Sequence, residues 1–230
     1  MVDERNVEPD VVPGEDAAAR ERGEAAECGR RRLVRSDGYL ELPDNLTTFH
    51  QHRTHLADPR LTRHGPNEDL RNELVDLARK AGLLTFQAPR RFGGREPSHC
   101  EQAVLYEAAG WSTLGPVALN CAAPDEGNMF ILGKIATEAQ AEEFLVPVID
   151  GHQRSVFAMT EPGGAGSDPD QLTTEAIFDG EQYVINGRKW LITGANGART
   201  WIIMARVAPN PHGRDGPTLF LCDGRTPGIE

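Results

Sequence analysis

Basic residues are in deficit: 24 Lys plus Arg stand against 35 Asp plus Glu, for a formal net charge of −11 and a pI near 5.1. Binding to a phosphate backbone normally shows as a basic face, so this balance argues against nucleic acid as a partner. The single clear basic run, Gly29-Arg30-Arg31-Arg32-Leu33-Val34-Arg35, is short and reads as solvated tail. Cysteine is scarce and scattered: Cys28, Cys100, Cys121 and Cys222 form no C-x-x-C and sit beside no His pair at ligand spacing. That pattern predicts reduced thiols in a cytoplasm and no metal centre. Long apolar runs are also missing. No stretch is long enough for a membrane span, and residues 1–30 lack the apolar core of a signal peptide.

What is present is a 230-residue chain with 39% hydrophobic residues, enough for a substantial core. The alternation of Asp, Glu, Ala and Gly over residues 1–38 reads as a disordered leader. Folded structure is expected from Tyr39, where Leu40, Leu42 and Leu46 begin to supply apolar side chains. His50, His52, His55 and His64 invite a metal reading, but Pro59 and Gly65-Pro66 interrupt the segment, and solvated histidines are the better explanation.

Residues 39–152 read as an α-helical domain. Leu70, Leu74, Leu77, Ala78 and Ala81 follow helical spacing, and Gly82 supplies the left-handed stop. Ser98-x-x-Glu101 opens a second helix that reaches Gly110, Pro124 sits in the first turn of a third, and Thr137-x-x-Gln140 caps a fourth. Trp111, Met129 and Phe144 could line a ligand pocket, but at helical spacing ordinary core is the better reading.

From Gly151 the pattern changes, and residues 153–230 read as an all-β domain. Thr173 to Phe178, Gln182 to Ile185 and Lys189 to Thr193 look like strands of a meander joined by the tight-turn dipeptides Asp179-Gly180 and Asn186-Gly187. Thr200 to Val207 and Thr218 to Cys222 add two more strands. Five short strands with exposed edges and the turn-like Thr226-Pro227-Gly228 make an incomplete sheet, so the fold class is α+β with an unfinished second domain.

Between the halves lies Phe157-Ala158-Met159-Thr160-Glu161-Pro162-Gly163-Gly164-Ala165-Gly166-Ser167-Asp168. Small residues let a flat ligand approach the backbone, and Thr160, Ser167 and Thr193 offer hydroxyls. The loop is neither a Walker loop nor a complete dinucleotide fingerprint, and taken alone it is a glycine-rich turn. No nucleophile elbow surrounds its serine. Glu161 and Asp168 could form an acid–base pair, but carboxylates flanking a turn usually satisfy backbone donors, which favours a structural role.

The combination is more specific than its parts. A helical half, then M-T-E-P-x-x-A-x-S-D, then Y-V-I-N-G-x-K-W, resembles the acyl-CoA dehydrogenase family over Leu70 to Glu230. Asn120-Cys121-Ala122-Ala123-Pro124-Asp125-Glu126-Gly127-Asn128-Met129 is similar to the branch of family members ten and eleven. The resemblance implies FAD as cofactor and an acyl-CoA thioester as substrate, dehydrogenated across its α and β carbons. It implies that Phe157, Ala158, Met159 and Thr160 lie along the flavin, that Ser167 touches both cofactor and acyl-CoA, and that Leu191, Ile192 and Thr193 make the second flavin contact. Leu191 stands where the family commonly has Trp, and Trp190 precedes it.

The family's C-terminal helical bundle, which carries the catalytic glutamate, has no counterpart in these residues, so the resemblance implies no catalytic residue here and no activity from the chain alone. A homo- or hetero-oligomer supplying that domain is the implied partner. A noncatalytic acyl-CoA- or flavin-binding interaction subunit and a nonfunctional remnant are the alternative readings.

Overall fold

Apolar side chains at three- and four-residue spacing make the first long helix, α1 (Glu68–Lys80), which buries Leu70, Leu74, Val75 and Ala78. Asn67 caps it by accepting from the Leu70 amide, and Gly82, at φ +67°, turns the chain away just beyond it. A two-residue hairpin, β1 (Leu61–Thr62) with β2 (Gly65–Pro66), precedes α1. The structure is a computed structural model that describes residues 58–63, 65–163, 166, 168–209 and 215–230, all within one compact unit spanning Asn45–Glu230. His50, His52, His55 and His64, the leader and the basic run lie outside the described residues.

The helices that follow begin where the sequence signals them. Ser98 and Glu101 form a reciprocal capping box at the start of α2 (His99–Gly110). After the short α3 (Gly115–Ala118) comes α4 (Asp125–Ile135), in which Pro124 stands just before the first turn rather than inside it. A second capping box, Thr137 with Gln140, opens α5 (Glu138–Gln140), which runs through a π-helical stretch, Ala141–Leu145, into α6 (Val146–Ile149).

The sheet is mixed rather than a meander. Its strands are β3 (Ser155–Ala158), β4 (Glu175–Phe178), β5 (Tyr183–Asn186), β6 (Thr200–Val207) and β7 (Gly216–Asp223). The central strand is β6, which pairs antiparallel with β7 along its whole length. On its other edge it pairs parallel with β3 over Thr200–Ile203 and parallel with β4 at Arg206 and Val207. Strands β4 and β5 form a tight hairpin, and Asp179 closes its turn by accepting from the Glu181 and Gln182 amides while Gly180 takes φ +113°.

Two expectations are corrected here. Lys189 to Thr193 is a loop, because Leu191 adopts φ +53° and no strand pairs with the segment. Asn186-Gly187 therefore turns no second hairpin. Gly187 is instead a close-approach residue: a Cβ there would lie 2.2 Å from the Thr174 Oγ1. The fifth strand is instead Ser155–Ala158, whose last two residues were expected at the start of the glycine-rich loop.

Helices and sheet share one core. Met129, Leu132, Leu145, Val148 and Ile149 pack with Ile202 of β6, and Phe157, Leu219 and Leu221 close over them. Farther along β6 the buried side changes, and Ala205 and Val207 pack with Ala176 under Tyr183, Ile185 and Phe220. Polar ties reinforce the joint: Thr200 donates to the Phe144 carbonyl (3.0 Å), and the buried Arg71 donates to the carbonyl of Gly151 (3.0 Å) just before β3. This is a helical domain followed by a β-sheet domain, as the α+β reading expected. Cys121 and Cys222 carry free thiols.

The close approach at Gly187 yields a paired test. Gly187→Ala should lose about 1–3 kcal/mol of unfolding free energy by overpacking against Thr174. Gly110→Ala, at an exposed helix end with nothing within 4 Å, should gain about 0.5–1 kcal/mol, both read by urea denaturation.

Candidate functional site

Just past β3 the chain buries a carboxylate. Glu161 is 5% exposed, and its oxygens accept from the Thr173 amide (2.7 Å), the Thr173 hydroxyl (2.5 Å), the Thr174 amide (3.0 Å) and Lys189 Nζ (2.7 Å). Burial alone would raise its pKa. The hydrogen bonds from Lys189, Thr173 and Thr174 outweigh that and hold the carboxyl well below the usual carboxylate range. Asp168, the other candidate acid, accepts from the Asp170 amide and the Gln171 side chain. Both carboxylates therefore satisfy donors of the fold, which is the structural role favoured from the sequence.

Lys189 makes Glu161 the junction of two segments. Its ammonium also donates to the Met159 carbonyl (2.9 Å), and the next residue, Trp190, donates its amide to the Thr160 carbonyl (3.1 Å). Four residues on, a Cβ at Gly194 would lie 3.7 Å from the Ser155 carbonyl oxygen and 3.8 Å from Val156 Cγ1. The loop therefore meets the chain around β3 at two points, Trp190 at Thr160 and Gly194 near Ser155 and Val156. Leu191, in the left-handed region, breaks strand alternation. Leu191 and Trp190 are consequently both solvent-accessible, at 79% and 48%.

The structure brings seven of the eight expected contact residues together, and Ser167 lies outside the described residues. Phe157 is half-buried against the shared core, and Ala158 is fully buried, so it offers a ligand only its backbone. Met159 and Ile192 are half-buried. Thr160 is half-buried and Thr193 exposed, and among the described residues neither hydroxyl makes a hydrogen bond. A Cβ at Gly163 or Gly166 would meet nothing within 4 Å, so space lies in front of the adjoining turn. Two uncommitted hydroxyls, exposed backbone and an apolar Trp190–Leu191 pair fit a flat heteroaromatic ring with a polar edge, as a flavin is.

A second polar knot sets the start of β3. Asp125, at the head of α4, accepts from the Ser155 amide and hydroxyl, each at 2.6 Å, and Asn128 donates to the same hydroxyl at 2.9 Å. Burial pushes the Asp125 carboxyl up in pKa, against the pull of those bonds and of Arg71 and Arg154. Arg154 donates to Glu68 on α1 (2.5 Å) and to the Asn196 carbonyl (2.8 Å), tying the far end of the same loop. Sequence reasoning missed Lys189, Arg154 and Asp125. Their partners are distant in the chain, and a lone basic or acidic residue carries no local signal.

Elsewhere the chemistry is quiet. Burial pushes the Cys121 thiol up to about 12, which keeps it protonated and poorly nucleophilic. Among the described residues no three His, Cys, Asp or Glu side chains could hold a metal, and no helix is long and apolar enough to cross a membrane.

Comparison with known proteins matches residues 45–152 to the acyl-CoA dehydrogenase N-terminal domain and 156–230 to the acyl-CoA dehydrogenase middle domain. Mycobacterium tuberculosis FadE2, described as a probable acyl-CoA dehydrogenase, is 44% identical over 160 residues, covering 68% of this chain and 39% of that protein. Mouse acyl-CoA dehydrogenase family member 10 is 32% identical over 207 residues, covering 84% of this chain and 19% of that one. The glutaryl-CoA dehydrogenase of Mycobacterium smegmatis, solved in complex with FADH2, shares the fold with a TM-score of 0.60 at 24% identity, covering 81% of this chain and 45% of that one. The chain spans less than half the length of each.

The two buried carboxylates should give opposite pH signatures. In Glu161→Gln an amide N–H faces the Thr173 amide and Lys189 loses its counter-charge, which should cost about 3 kcal/mol at neutral pH. Because the folded pKa of Glu161 is depressed, its contribution is present above the unfolded value of about 4.3 and is lost on acidification, so the deficit should narrow below about pH 4. The folded pKa of Asp125 is raised, so its ionisation removes stability as pH rises. Asp125→Asn, which keeps an acceptor for Ser155, should match the wild type near pH 4 and melt at the same temperature or higher at neutral pH. Thermal melts across that range check both.

Proposed function

Because the chain belongs to the acyl-CoA dehydrogenase family, we propose that Phe157–Thr160 and Leu191–Thr193 form one wall of an FAD site in an acyl-CoA oxidoreductase. The single observation that supports this most is the pair of uncommitted hydroxyls, Thr160 and Thr193, on two chain segments pinned side by side by Lys189. Bound there, FAD supplies the hydride acceptor for oxidation of an acyl-CoA thioester between its α and β carbons.

This chain's residues would orient that group. The Thr160 and Thr193 hydroxyls would hold polar atoms of the ring by hydrogen bonds. Leu191 and Ile192 would cover apolar ring surface and exclude water from it, which would strengthen the polar contacts beside them. Ser167 would contact both cofactor and acyl-CoA. The α-proton goes to a carboxylate base that is not among the residues assigned here. In this reading it comes from a helical domain, of the same protein or of a partner in an oligomer. The 230 residues alone then bind flavin and acyl-CoA without turnover.

Titration of the purified chain with FAD, followed by the visible absorbance of bound flavin, tests the reading. Thr160→Val and Thr193→Val should each weaken binding by up to about tenfold while leaving the melting curve in place, as expected for one lost hydrogen bond. Acyl-CoA-dependent dye reduction by the chain alone would contradict the placement of the base.

A further inference from the structure

The segment from Trp190 to Asn196 is held at its ends and not in its middle. Its backbone hydrogen bonds are Trp190 N–H to the Thr160 carbonyl and two local turns, from the Ala195 amide to the Ile192 carbonyl and from the Ala198 amide to the Ala195 carbonyl. Among the described residues no backbone bond joins Leu191, Ile192 or Thr193 to β3. Such a stretch, with Leu191, Gly194 and Gly197 all at positive φ, has little intrinsic reason to stay where it is.

Two buried or half-buried cations supply that reason. At the front, Lys189 joins the Met159 carbonyl and the Glu161 carboxylate, with side-chain exposures of only 11% and 4% for the ion pair. At the back, Arg154 joins the Asn196 carbonyl to Glu68 of α1. Gly197 is shaped for this second tie, since a Cβ there would fall 2.7 Å from the Arg154 guanidinium nitrogen. We propose that Lys189 and Arg154 are positioning residues, a two-point clamp that fixes Leu191–Thr193 against β3 and so sets the separation of the Thr160 and Thr193 hydroxyls. The rear point reaches α1, so the helical domain helps set the geometry of the sheet's ligand-facing loop. The functional arm of this inference rests on the flavin reading given above, whereas the structural arm stands without it.

The test compares the FAD-free and FAD-titrated chain in wild type, Lys189→Arg, Lys189→Met, Arg154→Gln and the double variant Glu161→Gln/Lys189→Met. Hydrogen exchange is read at Trp190 and Ala195, whose amides are bonded in the clamped loop. Lys189→Met leaves a buried carboxylate without its partner and so risks general destabilisation. The double variant replaces the ion pair by neutral groups of similar size and so removes the unpaired buried charge.

The expected result is that the double variant folds, keeps slow exchange in β6 and β7, exchanges the Trp190 amide at least about tenfold faster, and binds FAD at least about tenfold more weakly. Lys189→Arg, which can still reach both acceptors, should retain most of the affinity. Arg154→Gln should speed exchange at Ala195 more than at Trp190. Wild-type exchange at Trp190 in the folded double variant would overturn the clamp, and so would wild-type FAD affinity in it. If the wild-type chain itself binds no FAD, the flavin reading fails, and the exchange measurements alone decide whether the clamp exists.

Discussion

A buried carboxylate must be paid for by donors, and at Glu161 the donors come from two separate places in the chain, both distant from Glu161 itself. Thr173 and Thr174 lie at the entry to β4, Lys189 lies beyond β5, and Glu161 itself follows β3. Leaving such a group unpaired in a low-dielectric interior would cost several kcal/mol, so the three segments are obliged to converge. That convergence closes the β4–β5 hairpin back onto the end of β3 and delivers Trp190 to Thr160. The docking of the Trp190 loop at Thr160, with one uncommitted hydroxyl on each segment, is a consequence of the electrostatic requirement beneath it.

The helical domain contributes through a different kind of constraint. Its core runs continuously into the sheet through Ile202, Leu219 and Leu221, and Asp125, Ser155 and Asn128 fix the first residue of β3 to the head of α4. The strand that carries Phe157 to Ala158 is therefore pinned at its start by the helices and just past its end by Glu161. A rigid platform of this sort suits a ligand that must be held at a defined angle, because little ordering entropy remains to be lost on binding.

Features decided within a few residues were legible in the sequence. The capping boxes at Ser98 and Thr137 and the Asp179-Gly180 turn depend on partners two to three positions away, and each is present. The two segments that the family motif singles out, Phe157 to Thr160 and Leu191 to Thr193, are joined where the Trp190 amide donates to the Thr160 carbonyl. Lys189 to Thr193 was misread as a strand because Trp190, Ile192 and Thr193 favour extended structure, a preference overridden by the left-handed Leu191. Ser155–Ala158 escaped notice because four residues pairing in parallel with a distant strand leave no turn signal. Gly187 looked like half of a hairpin turn, although its missing side chain serves packing against Thr174. The Glu161–Lys189 pair, 28 residues apart, is invisible until the fold brings its members together.

The central claim is that this chain presents a surface for the ring of a flavin rather than for its nucleotide tail. Competition against bound FAD by lumiflavin, which is the ring alone, and by ADP, which lacks it, separates the two most directly. The account predicts that lumiflavin displaces FAD from the chain and that Thr193→Val weakens lumiflavin and FAD by the same factor. Displacement by ADP with none by lumiflavin would contradict it.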